Sequence, residues 1–319
     1  MALLFILLGC AAFLIFAVLL TSYICFRMAF YSNRKADKHP PDEIRIPDGE
    51  IYEPYREQIV EWIKGIRALP HTDIEIQSFD GITLRGKFFE HKPGAPIELM
   101  FHGYRGTSER DLCGGVYRCF SLGRSALLVD HRGSGNSDGT VITFGINESK
   151  DLERWVDYII QNIDPNAKII LTGVSMGAAT VMIAAAKELP PNVVGVLADC
   201  GYSSAKEIIK KVVREMKLPA DLLYPFIKLG ARLYGKFDLD ETSPIEAMKK
   251  SRVPVIFFHG DDDKFVPHDM SVQNYNACIT QKKLVTMHGA GHGLCFPQEQ
   301  EDYCQALKEF FDPILEQHT

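Results

Sequence analysis

One serine in this sequence stands where a nucleophile is made. Lys168-Ile169-Ile170-Leu171-Thr172 is an apolar, largely β-branched run. Gly173-Val174-Ser175-Met176-Gly177 follows it, and Thr180 to Ala186 then reads as a helix. Strand, tight turn and helix in that order is the setting a Gly-x-Ser-x-Gly nucleophile elbow requires. Gly173 and Gly177 are needed because a Cβ at either position would collide with neighbouring backbone. The helix beginning at Met176 aims its free N–H groups and positive dipole end at negative charge developing beside Ser175.

A serine hydroxyl is a weak nucleophile until a base takes its proton, and the base must be oriented by a carboxylate. Of the ten histidines, His292 is the expected base, because Gly289-Ala290-Gly291-His292-Gly293 forms a flexible loop just past the last expected strand. His288, at the end of that strand, is the lesser candidate; His71, His91 and His318 fall in surface-like segments. For the carboxylate, the strand ending at Phe258 runs into His259-Gly260-Asp261-Asp262-Asp263-Lys264-Phe265-Val266-Pro267. Three consecutive acids leave the choice open on chemistry alone, and Asp199, at the end of the preceding strand, is a fourth. A tetrahedral oxyanion needs two N–H donors. Met176 supplies one, and Tyr104, in Phe101-His102-Gly103-Tyr104-Arg105-Gly106 after the third expected strand, supplies the other.

Positioning such groups takes a large core. The 319 residues, 46% hydrophobic and 24% charged, suffice for one large α/β domain with attachments. A formal charge of −6 gives no general attraction to nucleic acid, and no basic tract interleaved with aromatics appears, so nucleic-acid binding is not expected. The eight cysteines show neither Cys-x-x-Cys nor zinc-like Cys/His spacing. They read as buried thiols of a reducing compartment, with no metal site. Gly133-Ser134-Gly135-Asn136 lacks the third glycine and the following helix of a dinucleotide fingerprint, so no cofactor is expected.

Ala2 to Phe26 is uncharged and almost wholly apolar, long enough to cross a bilayer core of about 30 Å. It is too long for a signal-peptide core, lacks a preceding basic residue and has no Ala-x-Ala site after it. Arg27, Arg34, Lys35 and Lys38 all follow the span, which places the remainder of the chain in the cytoplasm by the positive-inside rule. Residues 1–30 are thus expected as a transmembrane anchor. Within 31–69, residues 33–54 read as a charged, proline-bearing spacer and Tyr55 to Ala68 as an edge helix with Ile59, Trp62, Ile63 and Ile66 on one face.

The catalytic domain is expected over 70–319. Residues 73–79 and 82–88 alternate around Asp80-Gly81, a hairpin signal. Apolar strands follow at Ile97–Phe101, Ala126–Val129, Lys168–Leu171, Val193–Leu197, Val253–Phe258 and Leu284–Met287, most of them separated by helical patterns. The helix carrying Leu152, Trp155, Val156, Ile159, Ile160 and Ile163 is one. This alternation implies a mostly parallel eight-stranded sheet covered on both faces, with active groups at the strands' carboxyl ends. An insertion at about 203–244 exceeds a plain crossover. Its first helix opposes Ile208, Ile209, Val212, Val213 and Met216 to Lys206, Lys210, Lys211, Arg214 and Lys217. It is expected as a cap over Ser175 that offers an apolar acyl pocket, its basic side turned toward anionic headgroups.

Over about residues 70–315 the chain resembles the α/β-hydrolase superfamily, and within it membrane-anchored or cytosolic bacterial serine hydrolases of the Bem46-like and YqkD-like kind. The resemblance is carried by residues 102–106, by Asp130-His131-Arg132-Gly133-Ser134-Gly135-Asn136-Ser137, by the elbow, by Asp199-Cys200-Gly201-Tyr202-Ser203-Ser204, by His259 to Pro267 and by Gly291-His292-Gly293. The order Ser175, Asp263, His292 is that of the superfamily, whose Gly-x-x-Asp-x-x-Val-Pro pattern selects Asp263 as triad acid. Ser134 stands where the family often has histidine. The resemblance implies a cofactor-independent hydrolase of esters or thioesters with an apolar, lipid-like acyl part. A serine peptidase or amidase on the same fold and a non-catalytic membrane scaffold are the alternatives. Natural substrate and oligomeric state are not encoded in these patterns.

Overall fold

The computed structural model describes residues 1–32 and 43–317; Arg34, Lys35, Lys38 and His318 lie outside the described residues. Helix α1 (Ala2–Ala29) comes first, and a 3₁₀ turn, Glu50–Tyr55, leads into α2 (Arg56–Ala68). Strands β1 (Thr72–Gln77) and β2 (Thr83–Phe89) form the expected antiparallel hairpin, turned at Gly81 with φ of +84°. After β3 (Ile97–Phe101) come α3 (Ser108–Ser121), β4 (Ser125–Val129), α4 (Glu148–Tyr158), β5 (Ile169–Val174), α5 (Met176–Ala184) and β6 (Val193–Asp199). The insertion follows as α6 (Ala205–Glu215), α7 (Ala220–Gly230) and a π turn at Ala231–Gly235. Then come α8 (Pro244–Met248), β7 (Val255–Gly260), α9 (His268–Ala277), β8 (Lys282–Met287), α10 (Cys295–Gln298) and α11 (Gln300–Gln317).

All eight strands join one sheet in the order β1-β2-β4-β3-β5-β6-β7-β8, in which only β2 runs against the rest. Every residue of β3, β4, β6 and β7 is buried, as near-continuous apolar strands between two helical layers must be. On one face Leu152 and Trp155 of α4, Val181 and Met182 of α5 and Met248 of α8 pack against the sheet. On the other, α2 and α3 cover β3 and β4, while Tyr303, Leu307 and Phe311 of α11 cover β5 to β7. The edge helix is thus a true part of the second layer, with Ile59, Ile63 and Ile66 buried.

The N-terminal helix is divided in its environment. Residues 2–16 are exposed on all sides, whereas Ser22, Phe26 and Phe30 are buried. Phe26 and Phe30 join Phe144, Tyr202, Tyr224, Ile227 and Phe237 in an apolar cluster between the insertion and the main domain. A Cβ on Gly230 would lie 2.4 Å from the carbonyl oxygen of Ser22, so glycine is what lets α7 approach α1 this closely. Tyr31 then bridges to Val141, and the Ser32 N–H donates to the Thr140 carbonyl at 2.8 Å. Of the expected spacer, residues 43–54 are described and residues 33–42 lie outside the described residues. The helix end is already in the domain core before the chain reaches residue 33, because its aromatic side chains fill a hydrophobic gap under α7.

Candidate active site

The elbow has the expected geometry. β5 ends at Val174, Ser175 has φ of +56° and ψ of −113°, and α5 starts at Met176. A Cβ on Gly173 would stand 2.1 Å from the carbonyl carbon of Gly177, and one on Gly177 would stand 2.0 Å from the carbonyl oxygen of Phe101. Neither site admits a side chain. The strained serine is held by its N–H, which donates to the Asp199 carbonyl at 2.8 Å.

Ser175, Asp263 and His292 meet at the carboxyl ends of β5, β7 and β8. His292 Nε2 lies 3.0 Å from Ser175 Oγ, and His292 Nδ1 lies 2.7 Å from Asp263 Oδ2. The other acids are engaged elsewhere: Asp261 pairs with His288 at 2.8 Å on the surface, Asp262 with Lys264 at 2.5 Å, and Asp199 accepts from Tyr303 at 2.9 Å. Asp263 is buried yet surrounded by donors. Phe265 and Val266 N–H groups reach its Oδ1 at 2.8 Å each, and His259 Nε2 lies 3.1 Å from Oδ2. Burial opposes its ionisation, but the hydrogen bonds from His259 and His292 outweigh this and hold the carboxyl well below the usual range. His259, fully buried, also contacts the Val266 carbonyl at 2.9 Å and Ser271 Oγ at 2.6 Å.

The Tyr104 N–H sits on the loop after β3. His102 Nδ1 donates to the Gly103 carbonyl at 2.7 Å and its Nε2 accepts from His131 N–H at 3.0 Å; Asp111 accepts from Gly103 N–H at 3.1 Å. Burial pushes the His102 ring below its ordinary value, in keeping with a neutral imidazole that both donates and accepts. From outside, the loop is tied to the end of α1. The Tyr104 hydroxyl donates to the Ala29 carbonyl at 2.8 Å, and Arg105, at φ +53°, donates to the Met28 and Tyr31 carbonyls at 2.8 and 3.1 Å. No protein acceptor for the N–H of Tyr104 or Met176 is found among the described residues, which leaves both able to receive an oxyanion.

Donor atoms of Cys200, Asp263 and His292 also lie within 4.8 Å of one another. The last two are already bonded to each other, and burial raises the Cys200 thiol well above its ordinary value, so the set suits proton relay better than metal ligation.

A cavity of about 410 Å³ opens beside Ser175 and His292. Its walls come from Tyr52, Ile59 and Trp62 of the N-terminal chain, Leu112 of α3, and Leu294 and Phe296 around α10. Tyr52 reaches over to donate its hydroxyl to the His292 carbonyl at 3.0 Å. Among the described residues, none from 203–244 lines the cavity, which corrects the expectation that the insertion supplies the acyl pocket. Its apolar face is occupied by Phe26, Phe30 and Phe144 instead. At the edge of the site Lys211 of the insertion donates to the Lys264 carbonyl at 2.8 Å, next to Phe265, which stands edge-on to the His292 ring at 5.1 Å. Of the expected basic face, Lys210 and Arg214 share Asp221 and Lys211 bonds Glu215.

Residues 99–233 match the alpha/beta hydrolase fold family. The thiohydrolase AneE of Aspergillus aculeatus is 30% identical over 271 residues, covering 74% of this chain and 82% of that protein. The chain belongs to the α/β-hydrolase fold family. The uncharacterized protein YqkD of Bacillus subtilis is 28% identical to this chain over 192 residues, 60% of this chain; the match spans 63% of the relative's length. The fold is also that of the Pyrococcus furiosus esterase Pf2001, which superposes with a TM-score of 0.63 at 18% identity over 86% of this chain and 99% of the esterase.

Proposed function

We propose that this protein is a membrane-anchored serine hydrolase that cleaves carboxylic esters or thioesters through an acyl-enzyme on Ser175. The observation that carries the reading is the unbroken relay from Ser175 Oγ to His292 at 3.0 Å and from His292 to Asp263 at 2.7 Å. Asp263 stays ionised and fixes the tautomer with hydrogen on Nδ1, which leaves Nε2 to accept the serine proton. Oγ attacks the acyl carbonyl carbon as its proton passes to Nε2, and the resulting oxyanion takes hydrogen bonds from the Tyr104 and Met176 N–H groups. The intermediate collapses by breaking the C–O or C–S bond, and the leaving group takes the proton from Nε2. Water then gives a proton to His292 and its oxygen to the acyl carbon; release of the carboxylic acid returns the proton to Ser175. An esterase fold neighbour and a thiohydrolase relative are consistent with both leaving groups.

Two features support retention of α1 as an anchor rather than its removal as a signal sequence. Residues 2–20 span about 28 Å as a helix, close to the thickness of a bilayer core. Removing the helix would take Phe26 and Phe30 out of the domain core. With Arg27 after the span, the domain is assigned to the cytoplasmic side. The test of the catalytic reading is a fluorophosphonate probe on the full chain in detergent. The parent chain is labelled and hydrolyses p-nitrophenyl butanoate, and Ser175→Ala does neither; labelling that survives Ser175→Ala overturns the assignment. Protease added to intact cells leaves the domain whole if the orientation holds.

A further inference from the structure

The turn that carries the Tyr104 N–H is held from outside the site. The Gly106 N–H donates to the Gly103 carbonyl at 3.1 Å, which makes Tyr104 and Arg105 the central residues of a tight turn. The turn abuts the nucleophile: a Cβ on Gly103 would lie 3.6 Å from that of Ser175, and Tyr104 and Arg105 line the cavity beside it. Arg105 sits there at φ of +53°, a conformation that glycine or asparagine adopts readily and arginine does not. Strain of this kind persists only where the surrounding structure over-determines it.

Here the surrounding structure is the end of α1. The carbonyls of Met28 and Ala29 fall in its last turn, where no donor within the helix can reach them. The Tyr104 hydroxyl donates to Ala29 at 2.8 Å, and Arg105 Nη2 donates to Met28 at 2.8 Å and, just past the helix cap, to Tyr31 at 3.1 Å. A cation at this end is also favoured by the helix dipole. The guanidinium lies 5.1 Å from the centre of the Tyr104 ring, which packs on Phe144 at 5.1 Å, and Phe144 in turn meets the buried Phe30 at 5.7 Å. Asp111 and His102 fix Gly103 from within. The two residues after it are fixed from α1.

An oxyanion donor is effective only when it is aimed beforehand, because reorienting it during the reaction gives back what it contributes. We infer that the last turn of α1 is the outer support of the oxyanion hole: its carbonyls hold the Tyr104 hydroxyl and the Arg105 guanidinium, and through them the Tyr104 N–H. The Tyr104 side chain and Arg105 are positioning residues that act through that N–H. The inference rests on the acyl-enzyme reading of Ser175 with Tyr104 as a donor, and it makes the end of the N-terminal helix part of the catalytic unit. Loss of the clamp therefore weakens binding of the transition state and leaves binding of the ester itself unchanged.

The experiment follows p-nitrophenyl butanoate hydrolysis by the full chain in detergent, with active sites counted by fluorophosphonate labelling carried to completion. Arg105→Gly accepts the positive φ but gives up the clamp, Arg105→Lys keeps a cation that can donate to the same carbonyls, and Tyr104→Phe loses only the hydroxyl. In Tyr104→Phe/Arg105→Gly, kcat per labelled site falls by about tenfold or more, up to the roughly 10²–10³ that loss of a whole donor costs. KM changes by less than about twofold, as expected when an interaction made only in the transition state is removed. Affinity for a trifluoromethyl ketone analogue, which forms a tetrahedral oxyanion on Ser175, falls in step with kcat. Arg105→Lys recovers most of what Arg105→Gly loses. A kcat within about twofold of the parent overturns the clamp, as does a raised KM at unchanged kcat, which makes Arg105 a substrate contact instead. If the double variant does not fold, Tyr104→Phe alone decides by the same kcat and ketone measurements. A parent chain that neither cleaves the ester nor is labelled sinks the acyl-enzyme reading and the clamp together, whereas an active parent with unchanged variants sinks the clamp alone.

Discussion

The end of α1 should behave as domain core, and Phe30→Ala measures it. Phe30 is fully buried; its ring meets Phe237 edge-on at 5.2 Å and Phe144 at 5.7 Å. Truncating a buried phenylalanine costs about 3–5 kcal/mol from lost transfer energy and the cavity left behind. At about 2–4 °C per kcal/mol for a domain of comparable size, the midpoint should fall by roughly 6–20 °C. Trp155 is buried in the core on one face of the sheet and Trp62 packs against the core on the other, so their fluorescence reports unfolding of the sheet and its layers. The control is deletion of residues 2–16, which are exposed throughout and contribute no burial. That deletion should leave the midpoint in detergent unchanged while abolishing membrane attachment. A Phe30→Ala midpoint within about 2 °C of the parent would mean that the helix end is not packed as described, and the case for a docked anchor would fail.

Asp263→Asn should keep the site's shape but remove the charge that orients His292; kcat should fall by about 10⁴ with KM little changed, read from steady-state ester hydrolysis. Gly177→Ala should abolish soluble expression or fluorophosphonate labelling, since its Cβ would stand 2.0 Å from the Phe101 carbonyl oxygen. Glu98 predicts acid lability. Against the penalty of burial, Arg118 and Arg124 pull its carboxyl down to about 2, below the unfolded value of about 4.3. A depressed carboxyl stabilises the fold above the unfolded value and loses that contribution as pH falls through the folded one, here between about 4.3 and 2. About 1.3 of those pH units lie above pH 3, so roughly 1.7 kcal/mol should be gone by then, read as a drop in urea midpoint from pH 6 to pH 3. In Glu98→Gln the folded chain is weaker at pH 6 and the slope between the two pH values is shallower.

The sheet and the elbow were legible because each is written locally. A strand, two glycines and a helix in sequence leave Ser175 one possible position, and alternation around Asp80-Gly81 gives the hairpin its register. The carboxylate was less legible. Nothing in three adjacent acids says which one turns inward, and the distinction between Asp263 and its neighbours lies in contacts with His288, Lys264 and two backbone N–H groups that only the folded loop creates. The pocket was misplaced for a similar reason. A stripe of Ile59, Trp62, Ile63 and Ile66 has the same pattern whether a helix lies flat on a sheet or borders a cavity, and here it does both. Tyr52 carried no periodic signal at all. Apolarity likewise could not reveal where α1 passes from exposed to packed, since Phe26 is as hydrophobic as the residues before it; the approach of Gly230 marks that boundary.

The segment preceding the sheet therefore does more than tether. Its first stretch closes under the insertion and bonds the loop carrying Tyr104, while its second, from Pro47 to Trp62, walls the cavity and touches the His292 carbonyl. Arg105 joins the two functions, for it lines the cavity and donates to carbonyls at the last turn of α1.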